Sequence, residues 1–273
     1  MFGLSSKYLI YRVADFPFSD KKRVARTLPF QIEENLPLAV DEVVIDMFEI
    51  SRSEEGSKWF ACCVPRKLLR AILEACEAAR LDPVSVSPSF AGLTNLPQSK
   101  DNSLVIDVGE ETTNLLIVSN GSIRFCRSLR LAGKTLTRAV ADAQSVDLEV
   151  AQEIKHGFEG FENGDETLRD ILMNEVSRLV RDTKLTLSTI PAELNPDRLI
   201  VLGGGLKFTG IEEVLSDKLA MPCEVIDTPD VVSVQEAVEK PSTTGFAAPA
   251  GLAKVENSGK TPVVNFRKEE FSY

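Results

Sequence analysis

Residue types that build metal centres and nucleophilic sites are scarce in this sequence. There is one histidine, His156, and the five cysteines form an odd set without a CxxC pair. Such a set lacks the clustered ligands of a zinc site and is typical of thiols that stay reduced in a cytosolic setting. We therefore predict no metal site, and we expect His156 to be a solvated residue at the end of a helix.

Long apolar runs and an excess of positive charge are also missing. No run approaches the roughly 18 residues that a membrane-spanning helix requires, and the first residues do not form a signal peptide. The 31 Lys and Arg against 41 Asp and Glu give a net charge of −10, which opposes binding to nucleic acid and to anionic lipid. A short basic run at 21–26 lies on a predicted helix and is expected to be a solvated face. The chain as given is thus expected to be soluble and to have no nucleic-acid partner.

The length and a change in composition indicate two lobes. A chain of 273 residues can bury a large core, and the polar stretch at 97–102 predicts a boundary. Residues 1–97 have the order strand, helix, strand, strand, helix, strand, which predicts a smaller α+β lobe. Its first helix, expected at 19–36 with Ser19 as N-cap, contains Pro29, which must either kink the helix or start a second one.

Residues 98–255 predict a second lobe with a different order. Three strands come in close succession, and Asn120-Gly121 is typical of the hairpin turn between the last two. Helices follow, the longest over 166–190 with apolar residues along one face. The whole order is βββα, a helical insertion, and then βαβα. The predicted strands cover 104–107, 113–118, 122–129, 199–202 and 224–226.

The sequence DVGEETT, which begins at Asp107, is the first candidate site. A turn between two strands can offer backbone N–H groups to a phosphate through Gly109, Thr112 and Thr113, while Asp107 can hold a metal-bound water. A simple hairpin is the alternative, in which Gly109 supplies a positive φ and Asp107 bonds to the turn. The two glutamates in the turn count against phosphate binding, because carboxylates repel an anion.

The glycine triplet Gly203, Gly204 and Gly205, which follows the predicted strand at 199–202, is the second candidate site. Glycines after a buried strand permit a flat ligand, such as an adenine ring, to approach the backbone closely. A packing turn that needs a positive φ is the alternative. Neither a GxGxxG sequence nor a Walker A sequence is present, which excludes the Rossmann and P-loop folds.

Taken together, the element order, the Asp-x-Gly turn and the glycine triplet resemble one half of the actin, sugar-kinase and Hsp70 superfamily. The fold class that this resemblance implies is α/β, with an actin-like (RNase H-like) lobe of order βββαβαβα preceded by the smaller α+β lobe. It also implies that Asp107 and residues 203–205 face one cleft.

The resemblance is closer to the PilM family of pilus-assembly proteins. Residues 127–136 (RSLRLAGKTL) stand where that family has an arginine, a glycine and a G-x-x-L-T helix start, and Gly133, Leu136 and Thr137 keep that start. Residues 149–155 (EVAQEIK) look like the family's eAE-x-x-K helix.

Two further segments resemble the type II secretion L protein, GspL. Residues 26–36 resemble a GspL segment that contains a proline, here Pro29, which PilM proteins lack. Residues 264–271 (VNFRKEEF) resemble the iN-x-R-x-G-x-f stretch just before the transmembrane helix in GspL and in the pilus protein PilN. Together they favour GspL. Residues 256–273 are therefore expected to be an extended linker toward a membrane segment, because they show no helical or strand periodicity.

The resemblance implies a scaffold that is not an enzyme. The chain is expected at the cytoplasmic face of the bacterial inner membrane, reaching the membrane only through a segment beyond residue 273. Its implied partners are a cytoplasmic hexameric secretion or pilus ATPase, which it recruits, and the inner-membrane platform proteins. The sequence leaves open whether the chain forms a homodimer.

One departure from the family bears on nucleotide binding. The family begins with a GIDIG phosphate hairpin and its βββα lobe, whereas this chain starts near the family's inserted subdomain, so we expect the first phosphate-loop lobe to be absent. The remaining cleft is then degenerate and binds no cofactor, or binds ATP weakly. Two alternatives stay open: an ATP-binding actin-like ATPase or phosphotransferase, and a polymerising protein resembling FtsA, whose amphipathic C-terminal helix is not evident here.

Overall fold

A computed structural model describes residues 1–95, 102–226, 247–257 and 263–273. The chain divides into two compact units: unit 1 comprises residues 1–93 and 251–273, and unit 2 comprises residues 94–250. The boundary predicted at 97–102 falls almost wholly outside the described residues. Within the described ranges, no helix is both long and apolar enough to cross a membrane.

Unit 1 contains two small sheets and two helices in its N-terminal part. A short parallel pair joins β1 to β5, and a three-stranded antiparallel sheet has the order β2-β4-β3. The strands are β1 (Phe2–Leu4), β2 (Ile10–Phe16), β3 (Val43–Ser53), β4 (Gly56–Pro65) and β5 (Val86–Pro88), and the helices are α1 (Lys21–Ile32) and α2 (Arg66–Ala78).

Helix α1 packs on the three-stranded sheet through one apolar face. Val24, Leu28 and Ile32 recur at helical spacing and lie in the same buried cluster as Trp59 of β4. Asp20, and not the predicted Ser19, is the N-cap, and its carboxylate accepts a hydrogen bond from the Arg23 N–H. The helix continues through Pro29 to Ile32, so the alternative of a second helix that starts at Pro29 is wrong.

Unit 2 is built on one five-stranded sheet with the order β10-β9-β6-β7-β8. The first three strands of the unit pair as an antiparallel meander; β9 then pairs in parallel with β6, and β10 in parallel with β9. β6 is buried along its whole length, as expected for a central strand that is covered on both faces. The strands are β6 (Ser103–Val108), β7 (Thr113–Ser119), β8 (Ser122–Leu129), β9 (Arg198–Leu202) and β10 (Cys223–Val225).

The helices of this part of the chain confirm the predicted order. Those of unit 2 are α3 (Gly133–Gln144), α4 (Leu148–His156), α5 (Glu166–Leu187) and α6 (Ile211–Leu219). Helix α7 (Ala247–Asn257) begins at the end of unit 2, and its residues from Gly251 onward belong to unit 1. The long helix α5 buries Leu168, Leu172, Val176 and Leu179, three or four residues apart, in the same apolar cluster as Ile106 of the central strand. This packing holds the carboxyl end of β6 in place.

The C-terminal residues 263–273 are part of unit 1. The side chains of Val264 and Phe266 are fully buried, and that of Phe271 is nearly so. The prediction of an extended linker is therefore wrong for these residues. The prediction relied on the lack of a repeating apolar pattern. A segment that is docked by a few buried side chains and backbone hydrogen bonds does not require such a pattern.

Candidate functional site

A cavity of about 420 Å³ lies in unit 2, where β6 and β9 end. It is lined by the turns after these two strands, by the start of α3 and by side chains of α4. The carboxyl ends of parallel strands are where open α/β sheets bind their ligands. The cavity is therefore the first candidate site of the chain.

The turn after β6 is joined to the start of α3 by backbone hydrogen bonds. The Gly109 N–H donates to the Thr112 carbonyl at 3.0 Å and closes the turn. The N–H groups of Gly133 and Lys134 donate to the carbonyls of Gly109 and Glu110 at 2.9 and 2.7 Å. Free N–H groups at a helix start often bind phosphate, but these two are occupied by carbonyl oxygens. These two N–H groups hold the turn in place and are not available to bind an anion.

The glycines after β9 are explained by close packing. Gly203 has φ +94°, and a Cβ there would lie 2.3 Å from the Val108 carbonyl oxygen. At Gly205 a Cβ would lie 2.6 Å from the Val108 Cγ1. The turn therefore approaches the end of β6 too closely for a side chain, which is the packing alternative that the sequence left open. The same glycines also line the cavity.

Asp107 is a buried carboxyl group at the cavity. Its Oδ2 accepts a hydrogen bond from the Asn114 side-chain amide at 3.1 Å, and Asn114 in turn accepts one from the Ser128 hydroxyl at 2.7 Å. Burial raises the pKa of Asp107 to about 6, and the hydrogen bond from Asn114 acts in the opposite direction. Near neutral pH this carboxyl can therefore gain or lose a proton at a small cost in free energy.

Lys155 of α4 brings a buried cation to the same cavity. Its ammonium group donates to the Thr137 hydroxyl at 2.9 Å and to the Gly133 carbonyl at 3.3 Å. Burial lowers the pKa of Lys155, and the negative charge of Glu110 partly opposes this effect. Sequence reasoning did not name Lys155 as a site residue, although its place in the EVAQEIK helix was the available signal.

The structure brings together most of the site residues proposed from sequence. Asp107, Gly109 and residues 203–205 all line the cavity. The hydroxyl of Thr113 is buried and donates to the Leu131 carbonyl at 2.6 Å, so it belongs to the packing of β7. The Thr112 carbonyl is used in the turn. Whether the cavity binds a nucleotide stays a prediction.

A second candidate site lies in unit 1, where residues 263–273 are held like a bound peptide. The Phe266 N–H donates to the Val86 carbonyl at 2.8 Å, and the Val86 N–H donates to the Asn265 Oδ1 at 3.1 Å. Both backbone groups of Val86 are thus paired with the segment. The Asn265 Oδ1 also accepts from the Arg267 N–H at 3.0 Å. Backbone pairing combined with buried side chains is a common mode of binding extended peptides.

Three consecutive charged residues of the segment pair with charged groups of β3 and α2. The buried carboxylate of Asp46 on β3 accepts the Asn265 N–H at 2.7 Å and also binds the Lys268 ammonium group. Arg66, at the start of α2, pairs with the carboxylates of Glu269 and Glu270. The charges of Asp46 and Arg66 are therefore complementary to a peptide that carries one cation followed by two anions.

Known proteins resemble the chain over most of its length. The family model described as type IV pilus assembly protein PilM matches residues 24–253. A solved PilM-PilN type IV pilus biogenesis complex is 25% identical, with a TM-score of 0.81, and the match covers 95% of this chain and 79% of the solved one.

More distant relatives share the actin-like fold. MreB5 of Spiroplasma citri, solved with AMPPNP, has a TM-score of 0.55 at 18% identity and covers 70% of this chain and 65% of its own. The cell division protein FtsA of Staphylococcus epidermidis is 21% identical over 187 residues, which are 60% of this chain and 40% of FtsA. The chain thus spans less than half the length of that curated relative. The α/β, actin-like fold class predicted from the sequence is confirmed.

Proposed function

The chain belongs to the family of type IV pilus assembly proteins PilM, and on this premise we propose that it is a scaffold domain of a bacterial pilus-assembly platform. Unit 1 holds a peptide segment of the platform at the cytoplasmic face of the inner membrane. The chain recruits the cytoplasmic hexameric ATPase of the machine and catalyses no reaction of its own.

The docked segment 263–273 is the observation that carries the proposal. In sequence it resembles the stretch that precedes the membrane helix of PilN, and the similar solved complex pairs PilM with PilN. We infer that unit 1 is shaped to hold a segment of this type and that this chain supplies one itself. A membrane segment following residue 273 would then be tied directly to unit 1.

The choice of a pilus machine over a secretion machine rests on the family match. Pro29 and the C-terminal segment favoured the secretion protein GspL. The matching family model and the solved complex are both those of pilus proteins. Pro29 lies within the continuous helix α1. It therefore produces no difference in fold by which GspL could be distinguished from PilM.

Peptide binding in trans tests the proposal. In the full chain, Lys268→Glu places a carboxylate against Asp46 and weakens the docking of the chain's own segment. A fluorescent peptide with the wild-type sequence of residues 263–273 is then titrated and its anisotropy measured. We expect saturable binding to this variant and binding at least about tenfold weaker to the wild type, whose site is occupied, a difference of about 1.4 kcal/mol.

Two controls sharpen this experiment. Lys184→Glu makes the same charge change on the exposed surface of unit 2 and should behave as the wild type does. A peptide with Phe266→Ala loses its largest buried side chain and should bind much more weakly. A folded Lys268→Glu variant that binds no peptide would contradict the proposal.

Recruitment of the ATPase is tested separately. The full chain is immobilised and challenged with the pilus hexameric ATPase encoded by the same genome. Retention of the ATPase at moderate salt is the expected result. If peptide docking is intact but the ATPase is not retained, the recruitment part of the proposal is wrong.

Nucleotide binding is the alternative function, and the cavity in unit 2 is the site at which it would occur. Asp107, Lys155 and the glycine turns provide a carboxyl group, a cation and close backbone approach. The occupied N–H groups of Gly133 and Lys134 and the carboxylate of Glu110 count against tight phosphate binding. We propose that ATP binds weakly or not at all and is not hydrolysed.

A further inference from the structure

The solvent-facing side of α1 combines cations with an exposed aromatic ring. Lys22, Arg26 and Phe30 follow one another at intervals of four residues and therefore share a face of the helix. All three are exposed, and the Phe30 side chain is 76% exposed. Lys21 and Arg23 flank this face, which we call the basic face of α1.

The placement of these cations is unfavourable within the folded chain. A helix start carries partial positive charge, so lysines and arginines in the first turns are repelled by it. The first turn of α1 contains no acidic residue, and among the described residues no ion pair involves Lys21, Lys22 or Arg26. The fold itself thus gains little from these three cations.

The internal contacts of α1 do not need this face. Its apolar side, with Val24 and Leu28, is already buried on the sheet. Arg23 stacks its guanidinium 4.0 Å from the centre of the Phe18 ring, and its N–H is capped by Asp20. Phe30 lies outside both sets of contacts, so a large apolar side chain remains in water, with Arg26 one turn before it and the exposed carboxylates of Glu33 and Glu34 after it.

We propose that the basic face of α1 binds the surface of an anionic lipid bilayer. Lys21, Lys22 and Arg26 pair with lipid phosphates, and the Phe30 ring inserts at the boundary between headgroups and acyl chains, as apolar side chains of interfacial helices do. A bilayer accepts a single ring from a convex helix without a preformed pocket. An acidic protein would have to supply a pocket for Phe30 as well as negative charge.

The negative net charge of the chain restricts binding to anionic lipid to the basic face of α1. A chain of charge −10 is repelled by an anionic membrane as a whole. Contact therefore requires that a local cluster of cations faces the lipid. Because the Debye length falls from about 10 Å at 0.1 M salt to about 3 Å at 1 M, the contact should weaken steeply with ionic strength.

Vesicle sedimentation with the full chain tests the inference. Vesicles of phosphatidylcholine with and without phosphatidylglycerol are compared at low and high salt. We expect binding to the anionic vesicles alone, reversed by salt. Each cation near an anionic surface changes partitioning by about fivefold, so the double variant Lys22→Gln/Arg26→Gln should bind about 20- to 30-fold more weakly. Phe30→Ser should also weaken binding while leaving the net charge unchanged.

A matched variant separates the basic face from net charge. Lys184→Gln/Lys218→Gln removes two cations from the surface of unit 2 and should bind as the wild type does. Unfolding midpoints confirm that all variants fold. Equal losses in both double variants, or no binding of the wild type to anionic vesicles, would overturn the inference. A wild type that binds a poly-glutamate peptide through α1 and ignores the vesicles would overturn it in favour of an acidic protein partner.

Discussion

The buried carboxyl groups of Asp46 and Asp107 have opposite effects on the stability of the fold. Asp46 accepts hydrogen bonds from the Met47 and Asn265 N–H groups and binds Lys268, so its charge is well compensated. Asp107 accepts from Asn114, and burial raises its pKa to about 6. Asp46 therefore stabilises the docking of residues 263–273 on unit 1, whereas ionisation of Asp107 lowers the free energy of unfolding.

Removal of the Asp46 carboxylate should destabilise unit 1. Asp46→Ala leaves the half-buried Asn265 N–H unpaired and Lys268 without its carboxylate. Hydrogen bonds to charged groups contribute about 1.5–3 kcal/mol each, so we expect the free energy of unfolding to fall by at least about 2 kcal/mol. Urea titration measures this. Asp217→Ala, at an exposed position of α6, should stay within about 0.5 kcal/mol of wild type.

The raised pKa of Asp107 gives a pH-dependent prediction. A carboxyl whose pKa is higher in the folded chain than in the unfolded one stabilises the fold below the unfolded pKa of 3.8. This contribution is lost as the pH rises through about 6. Asp107→Asn cannot ionise, so its stability relative to wild type should increase by about 1–2 kcal/mol between pH 5 and pH 8. A relative stability that is constant over this range would show that Asp107 is not buried as described.

At the scale of elements, local pattern predicted the helices and strands of both units well. The longest helix was expected at 166–190, and α5 covers Glu166–Leu187, while β8 was expected at 122–129 and has those bounds. Strand β1 was not predicted, because it is defined by its pairing with the distant β5, which a local pattern does not report.

The candidate sites were harder to predict than the elements. The turn at Asp107 and the glycine triplet could be found because their residues are neighbours in sequence. Lys155 enters the cavity from a separate helix, and the docking of Asn265 beside Val86 joins residues 179 positions apart. Contacts of this range depend on tertiary packing, which a local pattern does not report.

The docked segment gives an element-scale prediction. Phe266 is fully buried, so Phe266→Ala should lower the free energy of unfolding by about 3–5 kcal/mol, the usual cost of deleting a buried ring. Tyr273→Ala, at a ring that is 71% exposed, is the control and should have little effect. Chemical denaturation of both variants measures the difference. Equal, small losses would restore the loose-linker interpretation.

For the whole molecule, the scaffold proposal predicts almost no response to nucleotide. Millimolar Mg-ATP at about 100 times its dissociation constant would stabilise a protein by roughly 2.7 kcal/mol. That would raise the unfolding midpoint of a chain of this size by several degrees, at about 2–4 °C per kcal/mol. We expect a shift below about 1 °C and no release of phosphate. A large shift that Asp107→Ala abolishes would favour the ATPase alternative.

We propose that unit 1 is a peptide-holding surface whose ligand in this chain is residues 263–273. Hydrogen–deuterium exchange of the full chain tests it most directly at the Phe266 amide, which donates to the Val86 carbonyl. We predict exchange at least about a hundredfold slower than in the free peptide of the same sequence, equivalent to an opening free energy of about 3 kcal/mol. Lys268→Glu should restore faster exchange. A Phe266 amide that exchanges as fast in the wild-type chain as in the free peptide would show that the segment is not docked on unit 1.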